Sequence, residues 1–346
     1  MQQVLGQHCF AQSIGSGDDD VDRLLEEGAG EQLFEQSSIE LLGPVVIKVG
    51  DGLEGTQTRP LQATAQTAGL SLAFLDLEHL GEPGLAQDLL GLCEEAKEVG
   101  PAQALAHRCN DYAAELAARW PQRLGAFATV PMGTAQGALD EIAYAFDVLK
   151  LDGVSLFASY GENFLGDPRF DPVLAMLNES GAVVFVHPGL HPSSKDLALP
   201  WPAFMMEYLF DTTRAVVNLI FSRAIERFPR VQFILPHAGG LAPYFAWRLS
   251  VSPMIDKRLP QLSREQVFAG LRHFWYDNAL SPGEQTFGSL DHVAAPERVV
   301  FGTDFPFANP RVIAEMIKTH ESGFLSDARR AEIDRANALA LFPKYG

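Results

Sequence analysis

From residue 70 onward, short runs of apolar, β-branched and aromatic residues alternate with longer stretches whose apolar positions fall at helical spacing. The short runs cover residues 70–77, 124–130, 153–157, 182–187, 231–237, 273–277 and 298–303. Runs of this length, bounded by turn residues, read as strands buried on both faces. Between them, Leu139, Ile142, Phe146 and Leu149 recur at helical spacing within residues 135–149. Residues 172–178, 204–228, 310–320 and 327–342 read as helices in the same way, with Asp327 as the N-cap of the last. Strands alternating with helices predict βα units on a parallel sheet. One more apolar run at residues 3–10 brings the strand number to eight, the number that closes a (β/α)8 TIM barrel. A doubly wound open sheet fits less well, because no glycine-rich phosphate loop follows any strand.

Residues 11–68 break the rhythm. The segment 18–27 is acidic, 50–55 is turn-like, and only 45–49 suggests a strand. The expectation is a single barrel domain over residues 1–346, with a divergent excursion at about 11–68 between the first and second strands.

Three strand ends carry side chains able to bind a metal or move a proton. They are Phe185-Val-His187-Pro, Leu235-Pro-His237-Ala-Gly-Gly and Phe301-Gly-Thr-Asp304-Phe-Pro. A lone His at a strand end is usually a core imidazole bonded to a carbonyl, and Asp-Phe-Pro is a natural turn. The same placement three times over points instead to one site at the rim where parallel strands end.

Composition narrows the partners. With 44 acidic against 26 basic residues the net charge is −18, which argues against nucleic acid and against an anionic membrane. A small anionic substrate stays open, since one Arg in a dry site can override the distant field. Cys9, Cys93 and Cys109 form no disulfide framework and no C-x-x-C pair. The first residues lack the basic start and apolar run of a signal peptide, so a cytoplasmic protein is expected.

The strand-end motifs resemble the amidohydrolase superfamily, and within it the branch typified by aminocarboxymuconate-semialdehyde decarboxylase. Arg108-Cys-Asn-Asp-Tyr112, Arg123-Leu-Gly-Ala-Phe-Ala-Thr-Val-Pro131, Leu165-Gly-Asp-Pro-Arg-Phe-Asp-Pro-Val173 and Phe210-Asp-Thr-Thr-Arg214 are similar to the 6-methylsalicylate decarboxylase group. The resemblance implies non-oxidative removal of CO2 from a hydroxylated aromatic, salicylate-like or polyketide-derived acid by a divalent-metal enzyme, zinc-dependent and homodimeric. It implies His187 and Asp304 as metal ligands, His237 as proton shuttle, and Asp304 also as a proton relay. Arg248, eleven residues past His237, falls where the family places an Arg that grips the substrate carboxylate in a neighbouring subunit. Read by itself, Arg248 is an ordinary surface-helix Arg. Phe157, Trp275 and Phe305 are candidates to wall a dry pocket.

The first strand departs from the family, which carries His-x-His or Glu-x-His there, followed by Phe. With Phe10 in register, Gln7 and Cys9 take the ligand positions and His8 points to the opposite side; a shift of one puts His8 and Phe10 there. Cys9 with His187 and Asp304 is an acceptable zinc set, and Cys9 as a small buried hydrophobe is the other reading. Two rivals therefore stand: a metal-free lyase, isomerase or cyclase using His237 and Asp304, and an inactive protein that binds a small acid.

Overall fold

Six parallel strands set side by side in chain order make the framework of the site. The computed structural model describes residues 99–121, 124–196, 200–305 and 307–346, with two short strand pieces near residue 40. Those pieces, β1 (Ile39–Glu40) and β2 (Val46–Ile47), pair antiparallel with each other, and β2 falls within the strand expected at 45–49. The remaining expectations for residues 1–98, including the two first strands, Gln7, His8 and Cys9, lie outside the described residues.

The framework strands are β3 (Phe127–Thr129), β4 (Gly153–Phe157), β7 (Val183–His187), β8 (Gln232–Leu235), β9 (Trp275–Asp277) and β10 (Val299–Val300). Each pairs in parallel with its neighbour in sequence. Helices make the crossovers: α2 (Ala135–Ala143) follows β3 and α3 (Asp171–Ser180) follows β4. Next, α4 (Glu207–Phe221) and α5 (Ala224–Arg227) follow β7, and α6 (Ala242–Ile255) and α7 (Arg264–His273) follow β8. The helix α8 (Glu284–Leu290) follows β9. The helix α1 (Val99–Arg119) precedes β3, and α9 (Pro310–His320) follows β10. A small hairpin, β5 (Ser159–Tyr160) with β6 (Asn163–Phe164), stands just past β4.

Strand alternation sorts the core into two layers. Val154, Leu156, Val184, Val186, Phe233, Leu235 and Tyr276 face the helices. Phe127, Val183, Phe185, Ile234, Trp275 and Val300 face the other way and pack on one another. His187 is two residues past Phe185 and four past Val183, so it shares their inward face. Gly153 is required in this inner layer, because a Cβ there would come within 2.6 Å of the Phe127 ring and 2.4 Å of the Val183 carbonyl oxygen.

The chain's end closes the inner layer from below. Phe342 packs edge-on against Phe127, with ring centroids 5.8 Å apart. The Tyr345 hydroxyl lies 3.2 Å from the Leu124 carbonyl and 3.0 Å from the Asp152 carboxylate, and Lys344 pairs with the same Asp152. Among the described residues, no helix is long and apolar enough to cross a membrane.

Several boundaries differ from the sequence reading, for local reasons. The last strand stops at Val300, because the next two amides find other partners: Phe301 N–H donates to the Ile333 carbonyl and Gly302 N–H to Asn278 Oδ1. The helix expected at 204–228 breaks at Arg223, which is left-handed at φ 61°. The stretch 327–342 is three pieces: α10 (Asp327–Ala331), a π-helical turn at Glu332–Ala336, and α11 (Asn337–Leu341). Its N-cap is Ser326 rather than Asp327: the Ser326 hydroxyl accepts the Arg329 N–H at 3.2 Å, and Asp327 already lies in the first turn.

Candidate active site

Three segments at the C-terminal ends of the strands bring their functional side chains together. His187 is the last residue of β7 and pairs in register with Phe157 of β4. His237 begins a 3-10 turn two residues past β8, and Asp304 lies four residues past β10. His187 Nε2 is 4.0 Å from Asp304 Oδ1, and His237 Nε2 is 3.6 Å from Asp304 Oδ2. All three side chains are largely buried.

The backbone carries strain here. His237, Ala238 and Asp304 have φ of 54°, 55° and 59°, a left-handed region that side chains other than glycine seldom adopt. Each such residue costs on the order of 1–3 kcal/mol and must be held by its surroundings. Asp277, at the end of β9, supplies part of that hold: its Oδ1 accepts the His237 N–H and the Ala279 N–H, each at 2.9 Å. Gly240 completes the turn at φ +63°, where a Cβ would come within 2.5 Å of the Leu209 carbonyl oxygen.

The imidazoles are set by what they can bond. His187 Nδ1 lies 2.8 Å from the Pro188 carbonyl, which can only accept, so Nδ1 carries a proton. In the neutral ring Nε2 then offers a lone pair. That atom is buried without a hydrogen-bond partner and looks at the Asp304 carboxylate. Two acceptors facing each other fit a cation held between them. Burial pushes the Asp304 carboxyl up, but positive charge beside it, as on the protonated imidazoles of His187 and His237, outweighs burial and holds the group down at about 2. Burial pulls His237 down, and the carboxylates of Asp304 and then Asp277 outweigh that, leaving its net shift upward.

Among the described residues, no three His, Cys, Asp or Glu side chains group to hold a metal. His187 and Asp304 by themselves offer two donors, short of a full ligand set. Cys9, the third expected ligand, lies outside the described residues. Cys109 offers no substitute, since burial pushes its thiol up to about 12.

Arg248 is not brought to this site. It is exposed on α6 and pairs with no carboxylate among the described residues. Its helix carries a row of exposed apolar side chains, Tyr244, Trp247, Met254 and Ile255, the last 78% exposed. Arg214 lies over the Phe210 ring, 5.8 Å from its centroid.

Of the three expected wall residues, Phe157 stands beside His187, and Phe305 is half-buried next to Asp304. Trp275 does not wall the site. It packs in the inner layer below, bonded to Gln232 at 3.1 Å and covered by Arg298, because it sits two residues before the strand end. Phe307 takes the place at the imidazole, 5.0 Å from the His187 ring. Tyr208, in the first turn of α4, is half-buried; burial first, then the charge of Asp304, pushes its phenol up. Sequence reasoning passed over Asp277, although it closes a strand just as His187 does.

A parallel βα barrel with His, His and Asp converging past three strand ends defines a class of strand-end catalytic barrels. Comparison with known proteins makes the class specific. The amidohydrolase family model matches residues 82–344, and the chain belongs to that family. It is 38% identical over 251 residues to 6-methylsalicylic acid decarboxylase of Penicillium expansum, covering 71% of this chain and 77% of that one. Among solved structures, 2,6-dihydroxybenzoate decarboxylase from Rhizobium superposes with a TM-score of 0.65 at 22% identity, covering 73% of this chain and 81% of that one. A dihydroxybenzoic acid decarboxylase from Polaromonas sp. JS666, with bound manganese and the inhibitor 2-nitroresorcinol, gives 0.63 at 22% identity, covering 72% and 78%. These likenesses fix the fold as the (β/α)8 barrel, to which the described residues contribute six strands.

Proposed function

We propose that the protein is a carbon–carbon lyase that removes CO2, without oxidation, from a hydroxylated aromatic acid of the salicylate type. The observation that carries this reading is the meeting of His187, His237 and Asp304 over one buried carboxylate. Membership of the amidohydrolase family and the 38% identity to a 6-methylsalicylic acid decarboxylase support it.

The reaction exchanges a carboxylate for a proton on one ring carbon. A divalent ion, with zinc or manganese the candidates, would be held by His187 and Asp304 with Cys9 as third donor, and would supply Lewis-acid binding of the carboxylate and the neighbouring phenol oxygen. The chain's own residues do the rest. Phe157, Phe305 and Phe307 exclude water, so the departing carboxylate is poorly solvated. His237, raised in basicity by Asp304 and Asp277, carries a proton beside the ring. The ring carbon takes that proton, the bond to the carboxylate breaks to release CO2, and His237 recovers its proton from water.

The working unit in this reading is a cytoplasmic homodimer. An exposed apolar row along α6, with Trp201 and Phe204 also exposed, is the kind of surface that a soluble chain covers with a partner. Arg248 shares the row with Tyr244, one turn earlier, and would reach the partner's site to grip the substrate carboxylate.

Elemental analysis of the purified protein, beside CO2 release from a panel of hydroxybenzoates, tests the reading. Turnover that needs the ion supports it. Turnover by metal-free protein would move the chemistry to His237 and Asp304 alone. Binding without turnover on any acid would leave an inactive acid-binding protein.

A further inference from the structure

Asn278 is fully buried, and its neighbours fix both ends of its amide. The Gly302 N–H, 3.0 Å away, can only donate, so it identifies Asn278 Oδ1 as the acceptor. The amide nitrogen then donates to His320 Nδ1 at 3.2 Å, which places that ring's proton on Nε2. Nε2 lies 2.6 Å from Asp334 Oδ1. Every donor in this series points outward, from Gly302 through Asn278 and His320 to Asp334. His320 is buried, while the Asp334 side chain is 43% exposed. The series therefore runs from the rim of the site to the surface.

Its inner end is where the last strand lets go. The β10 ladder stops at Val300, and the bond that would continue it at Gly302 is supplied by Asn278. Two residues on stands Asp304, left-handed at φ 59°. The residue before Asn278, Asp277, pins the equally strained His237. Asp277, the last residue of β9, and Asn278, the next residue, thus hold the backbones that carry the two halves of the His237–Asp304 pair.

We infer that Asp334 and His320 are positioning residues, which fix the Asn278 amide and through Gly302 set where Asp304 stands against His187 and His237. The inference deepens the acid–base reading of the site and rests on it. His320 touches no reacting group; it acts through Asn278. A buried His with both nitrogens committed can hold Asn278 in one orientation, whereas an unconstrained amide could flip and withdraw the acceptor from Gly302.

Asp334→Ala is the main test, since a half-exposed side chain can be shortened without emptying the core. Amide hydrogen exchange at Gly302, read against the β4 amides, should quicken about tenfold in this variant while β4 is unchanged. The kcat should fall about tenfold with KM held within about twofold, because the substrate-gripping groups are untouched. Asp334→Asn keeps an acceptor for the His320 N–H and should restore both readings; His320→Leu should reproduce the loss. Gly302 exchange as in the parent, loosening of all amides together, or an unchanged kcat in Asp334→Ala would overturn the inference. A parent protein that decarboxylates no hydroxybenzoate would sink the functional reading instead, and the exchange measurement would still decide the positioning.

Discussion

His187 presents an unpartnered, buried Nε2 to Asp304 Oδ1 across 4.0 Å, while its Nδ1 is tied to the Pro188 carbonyl 2.8 Å away. A core His bonded only to a carbonyl would need no carboxylate opposite its free nitrogen. The pairing makes chemical sense around a cation. It follows that His187→Asn should strip the divalent metal from the purified protein, as measured by elemental analysis, and abolish turnover with it. A protein as active and as metal-loaded as the parent would contradict this.

His237 has the other task. Its Nε2 is 3.6 Å from Asp304 Oδ2, and its backbone is held by Asp277. His237→Asn keeps the turn but removes the titratable nitrogen. The kcat should drop about 10²- to 10⁴-fold, the range for losing a general acid, while the metal content stays near that of the parent.

Arg248 is exposed and away from the site of its own chain, so the proposed carboxylate grip requires a second copy of the chain. Arg248→Ala and His237→Asn proteins should each be inactive alone. When subunits are exchanged, about a quarter of the parental activity should return, since half the dimers are mixed and one site in each has both residues. Arg248→Lys should stay impaired, because an ammonium lacks the planar fork that grips a carboxylate. A fully active monomer in sedimentation would remove Arg248 from the site.

Much of this architecture was legible in the chain. The runs at 153–157 and 182–187 correspond to β4 and β7 almost residue for residue, because β7 is buried throughout and all but its closing His187 is β-branched or aromatic, and β4 carries Val, Leu and Phe between flanking turn residues. The strand-end motifs alone mark His187, His237 and Asp304 as one group. What escaped depends on contacts rather than on pattern. The helix α6 has apolar residues all round and so shows no stripe. The left-handed backbone at His237 is held by Asp277 and the turn glycines, and the approach to the left-handed Asp304 by the Asn278 bond to Gly302, contacts which no periodicity reveals. Trp275 lies one layer below the position its strand-end setting suggests, because an inward-facing strand residue can meet either the site or the aromatic layer beneath it.

The aromatic layer itself predicts a stability effect. Phe342 is buried against Phe127 and ties the chain's end to β3, the first strand of the parallel sheet. Phe342→Ala should cost about 3–5 kcal/mol in denaturant unfolding, with KM little changed, since the contact lies at the far end of the barrel from the site.

The central claim is that a proton from His237 replaces a carboxylate on an aromatic carbon. Incubating the metal-loaded protein with 6-methylsalicylate or another salicylate in D2O, and following the product by proton NMR, tests it most directly. The account predicts CO2 release with one deuterium at the carbon that held the carboxylate, and loss of both in His237→Asn. Unchanged acid after long incubation with every salicylate tried, or CO2 formed at the parental rate by His237→Asn, would contradict it.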